Sequence, residues 1–215
     1  MVKKGVLAIV SGFSGVGKGT VVDHMKKIHP FTLSVSATTR DPRPGEVEGK
    51  SYFFITEDDF KAKAEQGWFL EWAHYTKGSY GTPKQPVLDA LSRGEDVLLE
   101  IEAQGARQVK EQYPDALLIF VLPPTFAELY HRLTGRGTET KEAIEARLQR
   151  AMEEFREIPG YDAVVVNETI EGCADEILSL MEARRTTPAA QKAFIDGLEE
   201  EAKRFMEALQ TEKGE

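Results

Sequence analysis

Short apolar runs alternate with helical periodicity along this chain. The runs Val6 to Val10, Thr32 to Ser36, Val97 to Ile101, Ala116 to Leu122 and Ala163 to Val166 have the length of strands. Near-continuous Val, Leu and Ile is what a strand shows when helices cover both faces of a parallel sheet, so the pattern predicts an α/β protein.

Two stretches break that rhythm. Between Ala37 and Thr82 the strand candidates are short and aromatic, Tyr52 to Ile55 and Phe69 to Tyr75. They flank one helix over Glu57 to Gln66, with Thr56 as N-cap and Asp59 at the third helical position. This predicts an inserted lobe. The second stretch, Pro123 to Phe155, opens on two prolines and carries Gly135-Arg136-Gly137 between two helices. Its second helix puts Ile144, Leu148, Met152 and Phe155 on an apolar face and Arg147 and Arg150 off it, as a mobile lid would. Beyond Arg185, Thr187-Pro188 reads as N-cap and first helical position, followed by Phe194, Ile195, Leu198, Phe205 and Leu209 at helical spacing. Residues 186–215 carry four basic and seven acidic side chains, the balance of a solvated amphipathic helix docked on the core or on another subunit.

The chain therefore divides into a domain over residues 1–185 and a helical extension over 186–215. Within the domain, a core (1–36, 83–123 and 157–185) carries a lobe (37–82) and a lid (124–156).

Composition narrows the function classes. With 215 residues, 41% hydrophobic and 29% charged, one globular unit with lobes is expected. No apolar run approaches the roughly 20 residues of a membrane span. Met1-Val2-Lys3-Lys4 leads straight into a strand-like run without the features of a signal peptide, so a cytoplasmic address is expected. The 27 basic and 36 acidic residues give a net charge of −9, which argues against a nucleic-acid coat or an anionic membrane as main partner. A bound anion must be held by a local cluster. Cys173, the one cysteine, is expected to be inert packing, and the four histidines show no metal-ligand spacing.

Such a cluster follows the first strand. Gly12-Phe13-Ser14-Gly15-Val16-Gly17-Lys18-Gly19-Thr20 joins the run ending at Val10 to a helix through Val21, Val22 and Met25. Glycines let backbone N–H groups turn inward around a phosphate, the helix N-terminus adds partial positive charge, and Lys18 reaches the β/γ oxygens. The usual Ser or Thr after the lysine is replaced by Gly19, so Mg²⁺ must be held chiefly by phosphates and water. The Gly-Lys-Gly-Thr ending resembles that of nucleoside-monophosphate kinases, which have a P-loop NTPase-type five-stranded parallel sheet flanked by helices.

The stretch from Ser34 to Tyr52, with Ser36, Arg40, Asp41-Pro42-Arg43-Pro44-Gly45-Glu46 and Tyr52, resembles the guanylate kinase signature. Glu71-Trp72-Ala73, Tyr80-Gly81-Thr82, Glu100-Ile101-Glu102-Ala103-Gln104-Gly105 and Gly135-Arg136-Gly137-Thr138-Glu139 accompany it in the family's order. The resemblance runs from about Gly5 to Arg185 and implies a GMP-binding lobe of mixed β-sheet plus helix, a helical lid, and transfer of the γ-phosphoryl group of ATP to GMP and dGMP. The chemistry supports this independently. Arg40 and Arg43, three apart in a proline-punctuated loop, can direct both forks at one dianion while Tyr52 adds a hydroxyl, each charge-assisted bond contributing about 1.5–3 kcal/mol.

By resemblance, Glu71 accepts from the donor edge of guanine, Glu102 approaches the exocyclic amine, and Ser36 and Thr82 place hydroxyls near O6 and the ring. Tyr80 lines the acceptor pocket, whereas Trp68 and Trp72 read as packing. Adenine would leave the Glu71 carboxylate unpaired, a mismatch that can be rejected by about 10⁴–10⁵. Many relatives carry aspartate at the positions of Glu100 and Glu102. Glu100 ends a strand where it can orient metal-bound water. Lys18, Arg40, Arg136 and Arg147 are the expected catalytic residues, with Arg147 also reaching GMP. Ser14 through Thr20, Arg132, Arg136 and Asn167 should hold ATP. The acceptor phosphate is already largely ionised at neutral pH, so no general base is required and alignment and neutralisation remain.

Two rival functions are weaker. Peptide-binding modules of this type typically lack a working phosphate loop, and a ribose-phosphate kinase would not require Glu71 and Ser36 together with both arginines.

Overall fold

All five apolar runs enter one sheet. The computed structural model describes residues 5–75, 78–135 and 140–212, with side chains through Met206. In chain order the elements are β1 (Leu7–Gly12), α1 (Lys18–Ile28), β2 (Thr32–Leu33), β3 (Ala37–Thr38), β4 (Phe53–Phe54), α2 (Glu57–Glu65), β5 (Phe69–Tyr75), β6 (Gly78–Pro83), α3 (Lys84–Ser92) and β7 (Val97–Glu100). They continue with α4 (Ala103–Gln112), β8 (Leu117–Leu122), α5 (Phe126–Thr134), α6 (Lys141–Glu154), β9 (Ala163–Val166), α7 (Ile170–Arg185) and α8 (Lys192–Glu212).

The main sheet is parallel throughout, in the order β2-β7-β1-β8-β9. Alternate residues of β1 face opposite layers. Ala8 and Val10 pack with Val22 and Met25 of α1 and Ile177 of α7, while Leu7 and Ile9 pack with Val87 and Ala90 of α3 and Val109 of α4. Side chains such as Ile9 and Phe120, at most 1% exposed, each contribute about 1.5–3 kcal/mol through burial. Cys173 lies in the first of these layers, and burial pushes its thiol up to about 11, in line with an inert packing role.

The edge strand β2 keeps only two of the residues its apolar run suggested, because the chain must leave the sheet after Leu33 to build a second one. That sheet has the order β4-β3-β6-β5, with β3 and β4 parallel and the other pairs antiparallel. Phe60 of α2 and Phe69 stack in its small core at a centroid distance of 4.5 Å. Thr56 caps α2 as expected, accepting from the Asp59 N–H at 3.1 Å. Trp68 packs edge-on against Phe69, and Trp72, although 45% exposed, packs edge-on against Phe60 at 6.2 Å.

On α6 the apolar face differs from the expected one. Ala151 is 1% exposed and Met152 is 58% exposed, because a residue seven along a helix lies about 20° from the first and one eight along lies about 80° away. Phe155 still packs, edge-on to Phe13 at 4.8 Å. The C-terminal helix begins at Lys192 and not at Pro188. Thr187 caps a single turn ahead of it, its hydroxyl accepting from the Ala190 N–H at 3.3 Å and its carbonyl from the Gln191 N–H at 3.0 Å. Phe194, Ile195, Leu198, Phe205 and Met206 of α8 remain 46–64% exposed. A groove of about 1220 Å³ separates α8 from Val6, Leu91 and Tyr113. Among the described residues no helix is long and apolar enough to cross a membrane.

Candidate active site

The carboxyl ends of β1 and β7 lie side by side, Val10 opposite Glu100, and the chain turns away from both to begin helices. Open parallel sheets bind ligands at this edge. A cavity of about 580 Å³ opens there between the main sheet, the second sheet and α6.

Its first wall is the phosphate loop. Gly17 has φ +99°, and a Cβ at that position would stand 2.7 Å from Nδ2 of Asn167, so this turn admits only glycine. Asn167 is 4% exposed and donates to the Val16 carbonyl at 2.8 Å, tying the end of β9 to the loop. Arg132 does similar work from α5. Its guanidinium donates to the carbonyls of Val16 (2.9 Å) and Asn167 (3.0 Å) and to Glu128 (2.8 Å). Both residues were expected at the donor-nucleotide site, and the structure places them as struts behind the loop. Lys18 Nζ is folded onto its own loop, donating to the carbonyls of Gly12 at 2.5 Å and Phe13 at 3.3 Å. Burial lowers its pKa, opposed by the charges of Glu100, Glu154 and Glu102. Ser14 faces the cavity with it, whereas Gly19 and Thr20 sit exposed at the start of α1 and the Val16 side chain is in the core.

Gly19 has a complement across the loop. A Cβ built on it would lie 3.8 and 3.9 Å from the two carboxylate oxygens of Glu100. The carboxylate thus stands close to where the missing loop hydroxyl would have been, and burial raises its pKa despite the nearby Lys18. Among the described residues no group of three or more His, Cys, Asp or Glu could hold a metal ion by itself.

The second wall carries a buried carboxylate. A register shift between Phe69 and Glu71 breaks the alternation of β5, so that Phe69, Leu70 and Glu71 are buried in succession and Glu71 turns into the cavity. Its carboxylate accepts from the Thr82 hydroxyl at 2.6 Å. Burial holds the Glu71 carboxyl above its usual range, with the Thr82 bonds opposing. Thr82 is fully buried behind Glu71 instead of facing the cavity as expected. Room for the carboxylate depends on Gly105 of α4, where a Cβ would meet Oε2 at 2.5 Å.

The third wall is the loop after β3. Arg43, Tyr52, Tyr80 and Ser36 face the cavity, but the Arg40 fork is closed on Glu46. Nη2 donates to Glu46 Oε1 at 2.6 Å and Nη1 to Oε2 at 2.7 Å, while Nη1 also reaches the Asp41 carbonyl (2.8 Å) and Nε the Tyr80 hydroxyl (3.0 Å). Four of the five guanidinium donors are thereby used. The expected convergence of both arginine forks is not the arrangement present, because a turn folds Glu46 back. Pro44 and Gly45 (φ +87°) occupy its central positions, with Glu46 N–H on the Arg43 carbonyl at 3.0 Å. The pairing with Arg40 lowers the Glu46 carboxyl to about 2.

From α6, Arg147 lines the cavity, and so do Arg150 and Glu154, which the sequence did not single out as site residues. Arg150 is ion-paired with Glu102 and lies 3.4 Å from Glu154. The i, i+4 spacing of Arg150 and Glu154 was a usable signal for them, as Pro44-Gly45 was for Glu46. Arg136 falls outside the described residues.

The guanylate kinase family model matches residues 4–184. Among curated relatives, the guanylate kinase of Trichodesmium erythraeum is 52% identical over 168 residues, 78% of this chain and 90% of that protein. That of Clostridium acetobutylicum is 46% identical over 185 residues, 86% of this chain and 88% of that protein. The crystal structure of guanylate kinase from Anaplasma phagocytophilum superposes with a TM-score of 0.71 at 32% identity, covering 87% of this chain and 90% of that one.

Proposed function

This chain belongs to the guanylate kinase family, and from that premise we propose how its residues share the work of moving the γ-phosphoryl group of ATP onto GMP. The observation that carries the reading is a single cavity lined by the phosphate-loop Lys18, by Glu71 and by Arg43.

On the donor side, the backbone from Ser14 to Thr20 cradles the ATP phosphates and Lys18 swings from its loop carbonyls to the β/γ oxygens. Arg132 and Asn167 keep the loop in shape, and Arg136 and Arg147 from the lid neutralise the transferred group. On the acceptor side, Glu71 takes the two donors of the guanine edge, Glu102 the exocyclic amine, and Ser36 lies near O6, with Thr82 fixing Glu71 from behind. Arg43, Arg40, Tyr52 and Tyr80 hold the monophosphate, which attacks without a general base. The same contacts serve dGMP. The lobe over 37–82 would carry the acceptor, and the lid over 124–156 would close on both nucleotides to exclude water.

The residues present suit Mg²⁺ held mainly by phosphates and water, because Glu100 faces the place left open by Gly19. When bound, the metal would neutralise charge on the β/γ oxygens. A lone buried thiol fits a reducing, cytoplasmic compartment. The exposed apolar face of α8 fits pairing with a second copy of the chain. Truncation after Arg185 should then lower the mass in solution and leave turnover in place.

A coupled assay of ADP release with GMP, dGMP, AMP, CMP and UMP tests the acceptor. Turnover with GMP and dGMP alone is expected. Turnover with AMP but not GMP would overturn the reading.

A further inference from the structure

Glu102 occupies the N-cap position of α4, yet its carboxylate makes no cap hydrogen bond to that helix. Acidic N-cap side chains ordinarily accept from the second or third helical N–H. This carboxylate is engaged elsewhere, by Arg150 of α6. The Arg150 guanidinium lies 5.6 Å from the Tyr75 ring centroid and 3.4 Å from Glu154 Oε1. Tyr75 lines the same cavity, where burial, and after it the Glu102 carboxylate, holds its phenol above the ordinary range. Lid, core and acceptor lobe thus meet at one part of the cavity wall.

We propose that Arg150 is a positioning residue for guanine selection: a lid side chain that, lying against the Tyr75 ring, fixes the Glu102 carboxylate where it meets the exocyclic amine of the acceptor base. The inference rests on Glu102 being the amine acceptor. A carboxylate has about four lone-pair sites, so the donor from Arg150 leaves capacity for the amine. It also accounts for glutamate at this position. An aspartate would be shorter by one carbon–carbon bond, about 1.5 Å, and would draw back from Arg150, which lies on another element. The lid would then contribute to reading the base as well as to closing over phosphates.

Inosine monophosphate differs from GMP by lacking that amine, so it isolates the contact. Calorimetric binding of GMP and inosine monophosphate would be compared for the full chain, for Arg150→Gln, for Glu102→Gln and for the double variant. Arg150→Gln is expected to weaken GMP about tenfold, the worth of one hydrogen bond to a charged group, while inosine monophosphate stays within about twofold. The double variant should bind GMP no worse than Glu102→Gln alone, as members of one unit do. Arg150→Lys, which keeps the charge without the fork, should fall between and is the fallback if the glutamine variant does not fold. Equal weakening of both nucleotides by Arg150→Gln would assign Arg150 to the shared phosphate and overturn the proposal. A gain in GMP affinity would overturn it too, by showing competition with the base. If Glu102→Gln leaves the preference for GMP unchanged, the assignment of Glu102 itself fails, separately from Arg150.

Discussion

The donor and acceptor halves of the cavity are built by different means. The phosphate loop is one contiguous stretch whose shape comes from backbone, braced from behind by Asn167 and Arg132. The acceptor half is assembled from side chains on several elements, and its charged groups already have partners: Arg40 is paired with Glu46 and Glu102 with Arg150, while Glu71 accepts from the Thr82 hydroxyl. A backbone cradle needs correct dihedral angles and little else. A side-chain site needs each charged group satisfied before the ligand arrives, because an unpaired buried charge is costly. On this reading the donor half is preformed in its backbone, with Lys18 alone leaving loop carbonyls for phosphate, and the acceptor half exchanges internal side-chain partners for substrate.

The largest test of this contrast is Lys18→Ala. It should lower kcat on the order of 10²–10³-fold by removing a charge that acts on the transferred group, with GMP affinity held within a few-fold. Parallel loss of GMP binding would mean that the halves are not separable.

Glu71→Gln works on the other half. A charge-assisted bond of about 1.5–3 kcal/mol is lost, so GMP affinity should drop more than about tenfold while the KM for ATP is unchanged. A matching rise in the ATP KM would break the distinction.

Gly17→Ala sharpens the backbone side. The strained φ and the 2.7 Å approach to Asn167 should cost about 1–3 kcal/mol of stability and weaken ATP in proportion, with no effect on GMP. Thermal unfolding and ATP titration would show it.

The smallest effect concerns pH. Burial raises the Glu71 carboxyl, so on acidification it takes up its proton at a higher pH than an exposed carboxylate and stops accepting from guanine. The KM for GMP should rise a few-fold over that window, beyond the contribution of the phosphate itself, which protonates near pH 6. The difference should vanish in Glu71→Gln, where only the phosphate titrates. An identical profile for the two proteins would remove Glu71 from the titration.

How much could be read from the sequence follows the same division. β1, β7 and β8 were legible because strands covered on both faces keep unbroken apolar runs, and the phosphate loop because its shape lies in adjacent residues. Contacts that cross the fold were not. Arg132 reads as a lid arginine until its donors are seen on Val16 and Asn167, and Thr82 reads as a pocket hydroxyl until Glu71 is found in front of it. Glu46 lies six residues after Arg40 and reads as a solvated loop carboxylate, although Pro44-Gly45 between them announces the turn that joins the two. On α6 Met152 reads as part of the apolar face, yet angular position leaves Ala151 covered in its stead.

The Arg40–Glu46 clamp has a kinetic corollary. If phosphate binding opens the clamp, product leaving the acceptor loop need not strand a bare guanidinium, for Glu46 is held by its turn within reach to replace it. Departure then becomes an exchange of one anion for another, with a lower barrier than the creation of an empty cationic hole. The loop would thus work as a valve on release, giving up some grip on the bound nucleotide for faster turnover.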